Sequence, residues 1–110
     1  MKVSDLSTRL GFEAICAPAG DADVTDGYAS DLLSDVMAKA GDGSVLITIQ
    51  AHKNTVAVAS LIGIPAVIIC NDRPVPSDMI EAAEAEGVAL LRTPKTQFEV
   101  AGTLYPELRG

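Results

Sequence analysis

From Ser44 onward, apolar runs and polar corners alternate along the chain. Val45-Leu46-Ile47-Thr48-Ile49, Ala66-Val67-Ile68-Ile69-Cys70 and Val88-Ala89-Leu90-Leu91 are short runs of the kind that form buried strands. Each is followed by a polar or cationic corner: Gln50-Ala51-His52-Lys53-Asn54, Asn71-Asp72-Arg73 and Thr93-Pro94-Lys95-Thr96. Each corner leads into a stretch with helical spacing. Strands that alternate with helices belong to one parallel sheet, and ligands of such sheets gather outside the strand C-terminal ends. The pattern therefore predicts a fold and a rim on which to look for a ligand, but no reaction.

The first 43 residues are less regular. A short helix is expected after Ser4 as its cap, with Leu6 and Leu10 on one face and Gly11 as its stop. Residues 12–16 read as a strand, residues 17–23 as a loop, and residues 24–29 as a short strand running into a corner. A helix capped by Ser30 is expected next, with Leu32, Leu33, Val36, Met37 and Ala40 as its apolar stripe and Gly41 as its end. Further on, Ser77 or Asp78 caps a helix that carries Glu81 in capping-box spacing. Pro94 precedes a last helix over residues 96–104, which Pro106 stops.

The helix expected over residues 55–62 carries no charge. A helix apolar all round must be covered all round, and one sheet covers one face. A second copy of the same helix is the simplest cover, so Val56, Ala59 and Ser60 are expected to line a homodimer interface.

Length and charge narrow the class. A chain of 110 residues is one domain, and its core must be aliphatic because aromatics make up only 4%. The mean hydropathy of +0.29 is high for a chain this small and points to self-association. Fifteen acidic residues against eight Lys and Arg, net −7, argue against a nucleic-acid partner. No apolar run is long enough to span a membrane, and the first ten residues lack the apolar segment of a signal peptide. The expected setting is the cytoplasm, with Cys16 and Cys70 as buried reduced thiols.

Three constellations bear on chemistry. The 50–55 corner joins a strand end to a helix start, where backbone N–H groups and the positive dipole end suit an anion. His52, Lys53, Arg73 and Lys95 share one rim if the sheet is parallel, with Arg92 close by. His52 is the single histidine, and no cysteine or serine is clearly paired with it as a nucleophile, so no catalytic residue is expected. The acidic run Asp21, Asp23, Asp26, Asp31, Asp35 starts like a calcium loop but has Leu32 where a bidentate Glu is needed. Helix solvation accounts for it, and no metal or other cofactor is expected. Neither a P-loop nor a dinucleotide fingerprint occurs.

In the stretch Thr25-Asp26-Gly27-Tyr28-Ala29-Ser30-Asp31-Leu32-Leu33-Ser34-Asp35-Val36-Met37, joined to Thr48-Ile49-Gln50-Ala51-His52, the chain resembles small stand-alone DRTGG-domain proteins. That family is similar to the N-terminal domain of HPr kinase/phosphorylase, hence the loose label "serine kinase". The resemblance implies a three-layer α/β/α sandwich with a mostly parallel sheet and a regulatory or structural role. Related domains stand beside CBS domains and help form a dimer. The name-giving Asp-Arg-Thr-Gly-Gly string is absent, and Asn71-Asp72-Arg73-Pro74 stands where it would be sought. The part that resembles a kinase is the part that does not catalyse.

Together these readings give a homodimeric, non-catalytic regulatory module that binds a small anionic ligand such as an adenine nucleotide. Gln50, His52, Lys53, Asn54 and Arg73 would hold the anion, and Gly27, Tyr28, Ser30 and Asp31 would line the neighbouring corner. Tyr28 has a choice between stacking on a base and filling the core, and filling the core is the expected job. A ligand-free interaction domain that docks a metabolic enzyme or sensor is the alternative, and a kinase-related enzyme component a more distant one.

Overall fold

The computed structural model describes residues 1–17 and 20–109. Its elements, in chain order, are α1 (Asp5–Thr8), β1 (Glu13–Cys16), β2 (Asp26–Ala29), α2 (Leu33–Lys39), β3 (Ser44–Thr48), α3 (Lys53–Ile62), β4 (Ala66–Ile69), α4 (Ser77–Glu86), β5 (Ala89–Arg92) and α5 (Gln97–Arg109). The strands form one sheet in the order β1-β5-β4-β3-β2. β2 to β5 run parallel, and β1 joins β5 antiparallel through an irregular register between Ala14 and Cys16. This is the expected α/β/α sandwich with a mostly parallel sheet.

The central strands are buried on both faces, so they read as continuous apolar runs rather than as alternations. Val45, Ile47, Ala66, Ile68, Ala89 and Leu91 face α5 and α1, where Leu6, Phe12, Val100 and Leu104 close the core. Leu46, Val67, Ile69 and Leu90 face the other way, onto Val36, Val56, Ala59, Met79 and Ala83 of α2, α3 and α4. Cys16 and Cys70 are free and buried, and burial pushes the Cys70 thiol up to about 11.

The dimer surface expected on α3 needs correction. Val56 and Ala59 are fully buried within the chain, and Ser60 Oγ donates to Glu86 Oε2 of α4 at 2.8 Å. Three successive crossovers put α2, α3 and α4 on one face of the sheet, so α3 is flanked on both sides by sister helices. The chain supplies most of the cover that seemed to need a second copy. Beyond its first two residues, what α3 still turns outward is Ala57 and Leu61, the latter 71% exposed.

Several helix ends also differ from expectation. Ser30 is not the cap of α2: the helix starts at Leu33, Leu32 stands in the N-cap position, and Ser30 Oγ only accepts from Leu32 N at 3.3 Å. With seven residues α2 is too short to lay down the expected stripe, and Val36 alone is fully buried while Leu32 and Met37 are exposed. Ser4 spends its hydroxyl on Asp21 Oδ2 at 2.8 Å instead of capping α1. Pro76 occupies the N-cap of α4, which has no side-chain cap. The reciprocal capping box belongs to α5: Thr96 N donates to Glu99 Oε1 at 3.0 Å and Glu99 N to Thr96 Oγ1 at 3.2 Å. These bonds hold the Glu99 carboxyl below its ordinary range. α5 then runs past the expected stop at Pro106 to Arg109: the proline forfeits one backbone hydrogen bond, and the Arg9–Glu107 and Asp26–Arg109 pairs hold the last turn in place.

Candidate functional site

Because β2, β3, β4 and β5 are parallel, the corners that follow them share one rim. Asp31, just beyond β2, is the hub of this rim. Its Oδ1 accepts from Thr48 Oγ1 at 2.8 Å, from Ile49 N at 2.9 Å and from Gln97 Nε2 at 3.1 Å. Gln50 Nε2 donates to the Asp31 carbonyl at 2.9 Å. One carboxylate thus ties the β2 corner to the end of β3 and to the first residue of α5. Its expected place in the first turn of α2 is corrected by the same contacts. Thr48 and Ile49 present donors at the strand end, and a carboxylate gains more from three donors than from a helix dipole in water.

The β3 corner leads into α3. His52 is the N-cap, and its Nδ1 accepts from Asn54 N at 3.0 Å. Thr55 Oγ1 donates to the Gln50 carbonyl at 2.8 Å. His52 therefore stands as the side-chain cap of α3. Replacing His52 with Ala is expected to cost about 1 kcal/mol of stability, and His52→Asn to restore most of it, as read by chemical denaturation.

The β4 corner is the tightest of the four. Asn71 and Asp72 both hold left-handed backbone, at φ 59° and 53°. Asn and Asp are among the few residues with side chains that adopt this region readily. Asn71 N donates to the Lys95 carbonyl and Asp72 N to the Thr93 carbonyl, each at 2.9 Å. Arg92 clamps the turn from β5, donating through Nη2 to the Asp72 carbonyl at 2.9 Å and pairing with Asp72 Oδ1 at 3.2 Å. Hydrogen bonds thus cross-link all four corners.

Ser30, Asp31, Gln50, His52, Lys53 and Asn54 come together where β2 and β3 end, and Arg73 follows the neighbouring β4 corner. Gly27 and Tyr28 do not join them. Gly27 pairs with Val45 in mid-strand and lines a separate cavity against α5. Tyr28 leaves the sheet on the α2 side, where its hydroxyl donates to Asp35 Oδ2 at 2.7 Å. That bond lowers the Asp35 carboxyl and raises the Tyr28 hydroxyl from their ordinary values. The half-buried ring packs against the α2 side of the core.

Sequence reasoning missed Thr48, Gln97 and the Arg92–Asp72 clamp. The Thr96-x-x-Glu99 spacing was legible as a capping box. The Gln97–Asp31 bond, spanning 66 residues, carries no local signal.

The charges at the rim are uneven. Among the described residues, Lys2, Arg9, Arg92 and Arg109 are in salt bridges. The other four cations are Lys39, Lys53, Arg73 and Lys95, and the last three all belong to rim corners. All three are exposed. In a chain of net charge −7, three exposed cations thus stand along one edge.

The fold and rim define a small α/β/α domain with a cross-linked polar edge. The family described as the HPr Serine kinase N terminus matches residues 46–106, more than half of the chain. The chain belongs to this family. HPr kinase/phosphorylase from Streptococcus uberis is 45% identical over 40 residues, covering 36% of this chain and 13% of that protein. The crystal structure of the CBS and DRTGG domains of the regulatory region of Clostridium perfringens pyrophosphatase, complexed with its activator diadenosine tetraphosphate, superimposes with a TM-score of 0.71. It covers 91% of this chain and 44% of the other at 13% identity, so it bears on the fold alone. The chain therefore spans less than half of either relative.

Proposed function

We propose that this chain is a homodimeric, non-catalytic regulatory module that binds an adenine nucleotide across the carboxyl rim of its sheet. The observation that carries the reading is the set of three exposed cations, Lys53, Arg73 and Lys95, none of which forms a salt bridge among the described residues of a chain with an excess of carboxylates. Phosphates would lie over the start of α3, where the dipole favours negative charge and Lys53 and Asn54 begin the helix. Arg73 and Lys95 would reach them from the neighbouring corners, and Ser30, Asp31 and Gln50 would give the floor its shape. The dinucleotide in the complex of the pyrophosphatase's CBS and DRTGG domains names the ligand class to test here.

Thermal shift with ATP, ADP, AMP, diadenosine tetraphosphate and the guanine counterparts tests this. A ligand at a hundred times its dissociation constant stabilises by about 2.7 kcal/mol, which is roughly 10 °C for a domain of this size. The double variant Lys53→Glu, Arg73→Glu is expected to abolish the shift and to keep its own melting temperature within about 2 °C, because both side chains are exposed. A flat panel would overturn the nucleotide. It would favour instead a module that docks a protein partner, for which the exposed Leu61 and Met37 on neighbouring α3 and α2 are the supporting observation.

A further inference from the structure

We infer that a second copy of this chain docks on the lateral surface formed by the free edge of β2 and the adjoining flank of α5. The inference rests on the homodimer in the reading above and gives it a surface, in place of the α3 face that the fold has covered.

The two edges of the sheet differ. At the β1 edge the strand is antiparallel, its register is irregular, and Glu13 is exposed on it, all of which discourage further pairing. β2 pairs with β3 in unbroken register, and its other side carries no strand among the described residues. Above that open side runs α5. Its inward face is Val100 and Leu104, and one flank turns Glu107 to Arg9 of α1. On the opposite flank, Phe98, Gly102, Tyr105 and Arg109 follow at i, i+4, i+7 and i+11. Arg109 Nε donates to Asp26 Oδ1 at 2.7 Å, which fixes this flank beside β2.

Between Phe98 and Tyr105 this flank is apolar. Phe98 is 88% exposed and Tyr105 63%, so two of the four aromatic residues stand in water. A buried aromatic removes on the order of 150–250 Å² from water, so leaving two exposed is a large loss that a partner recovers. The stripe between them bears no charge, and two chains of net charge −7 meet with least repulsion there. Beside Tyr105 lies a half-open apolar cavity of about 200 Å³, left by the small residues Gly27, Ala29 and Ala101.

The stripe complements itself. Phe98 and Tyr105 stand four and three residues from Gly102, whose outer side has no atom within 4 Å of where a Cβ would be. Two α5 helices crossing antiparallel on a two-fold axis at residues 101–102 put the partner's Phe98 against Tyr105, at the mouth of the cavity, and the partner's Tyr105 against Phe98. The bare backbone at Gly102 allows the close approach. A two-fold interface needs this kind of self-matching patch.

Light scattering on the intact chain, with three variants, tests the surface. The unmodified chain is expected to show twice its 11.4 kDa mass. Gly102→Cys is expected to cross-link to its own copy under mild oxidation, while Ala57→Cys on the outer face of α3 does not. Cys16 and Cys70 are buried and do not compete. Gly102→Glu sets two carboxylates against each other at the axis and is expected to weaken the dimer about a hundredfold. Its helix content should not fall, because Glu forms helix better than Gly. A dimer that survives Gly102→Glu, or that cross-links through Ala57→Cys instead, would overturn this surface and leave the homodimer standing. A chain that is monomeric at 100-micromolar-scale concentration would overturn both, with nucleotide binding judged separately by the thermal panel.

Discussion

Asp31→Ala is expected to lower the melting temperature by about 10 °C and to loosen the whole carboxyl rim. The substitution leaves Thr48 Oγ1, Ile49 N and Gln97 Nε2 without their shared acceptor. Thr48 is fully buried, so water replaces the carboxylate poorly there, whereas Gln97 is only partly covered and recovers more easily. Each orphaned donor costs on the order of 1–3 kcal/mol when buried. Discounting for partial exposure gives a total of about 2–3 kcal/mol, at about 4 °C per kcal/mol for a domain of this size. Asp31→Asn keeps one oxygen as an acceptor but turns an amide toward the remaining donors, so about half the loss is expected. Amide exchange separates this from a uniform loss of stability. Ile49 N and the first turn of α5 should lose protection more than the centre of β4 does. Equal loss everywhere would show that Asp31 is not the link between the corners.

Ile68→Ala is expected to be the more severe change. β4 is the middle strand of five, and Ile68 is fully buried against the α5 side of the core. Truncating a buried isoleucine removes three methylene-sized groups and leaves a cavity that close-packed neighbours fill only partly, at a cost of about 2–5 kcal/mol. Stability for a domain of this size totals about 5–15 kcal/mol. A fall of roughly 12–15 °C in melting temperature follows, with an unchanged denaturant m-value. Ile68→Val should lose only about 1 kcal/mol. Because Ile68 is remote from the rim corners in sequence and faces the core, the variant should still bind any rim ligand at temperatures where it is folded. Loss of binding in a folded Ile68→Ala protein would mean that the rim depends on the core more than its own hydrogen bonds imply.

The hydrogen bonds between the four corners explain how a small domain keeps this rim in shape. Each corner is short and polar, and the left-handed pair Asn71–Asp72 would be unfavourable alone. The cross-links from Lys95, Thr93 and Arg92 hold it in place. The cations project from this frame rather than forming part of it. Charge reversal at Lys53 and Arg73 is therefore expected to change binding and not folding, while substitution at Asp31 changes both.

Much of the fold was legible because local pattern and global topology agree. Buried parallel strands write themselves as unbroken apolar runs, so Val45 to Thr48, Ala66 to Ile69 and Ala89 to Leu91 could be read directly. Gly63 and Gly87, at φ 83° and 70°, end their helices in the left-handed region that glycine occupies without strain. The parallel arrangement, in turn, assigned Gln50 to Asn54 and Arg73 to one rim. What failed was every inference that needed to know what stands beside an element. Val56 and Ala59 looked like an interface because the helix is apolar all round, and the neighbours that cover them lie 20 to 30 residues away in sequence. Tyr28 could have faced the rim or α2, and the side was set by the register of Tyr28 against Leu46 together with Asp35.

The sequence by itself determined the strands, the helices that join them and the rim's chemical character, because periodicity, turn residues and charge act over a few neighbouring positions. Tertiary structure decided which donors converge on Asp31, that Pro106 lies inside a helix, and that Val56 and Ala59 are covered while Phe98, Tyr105 and Leu61 are left bare. Those outcomes depend on hydrogen bonds and packing between segments tens of residues apart, and no local pattern records the partner of a side chain that only folding brings near.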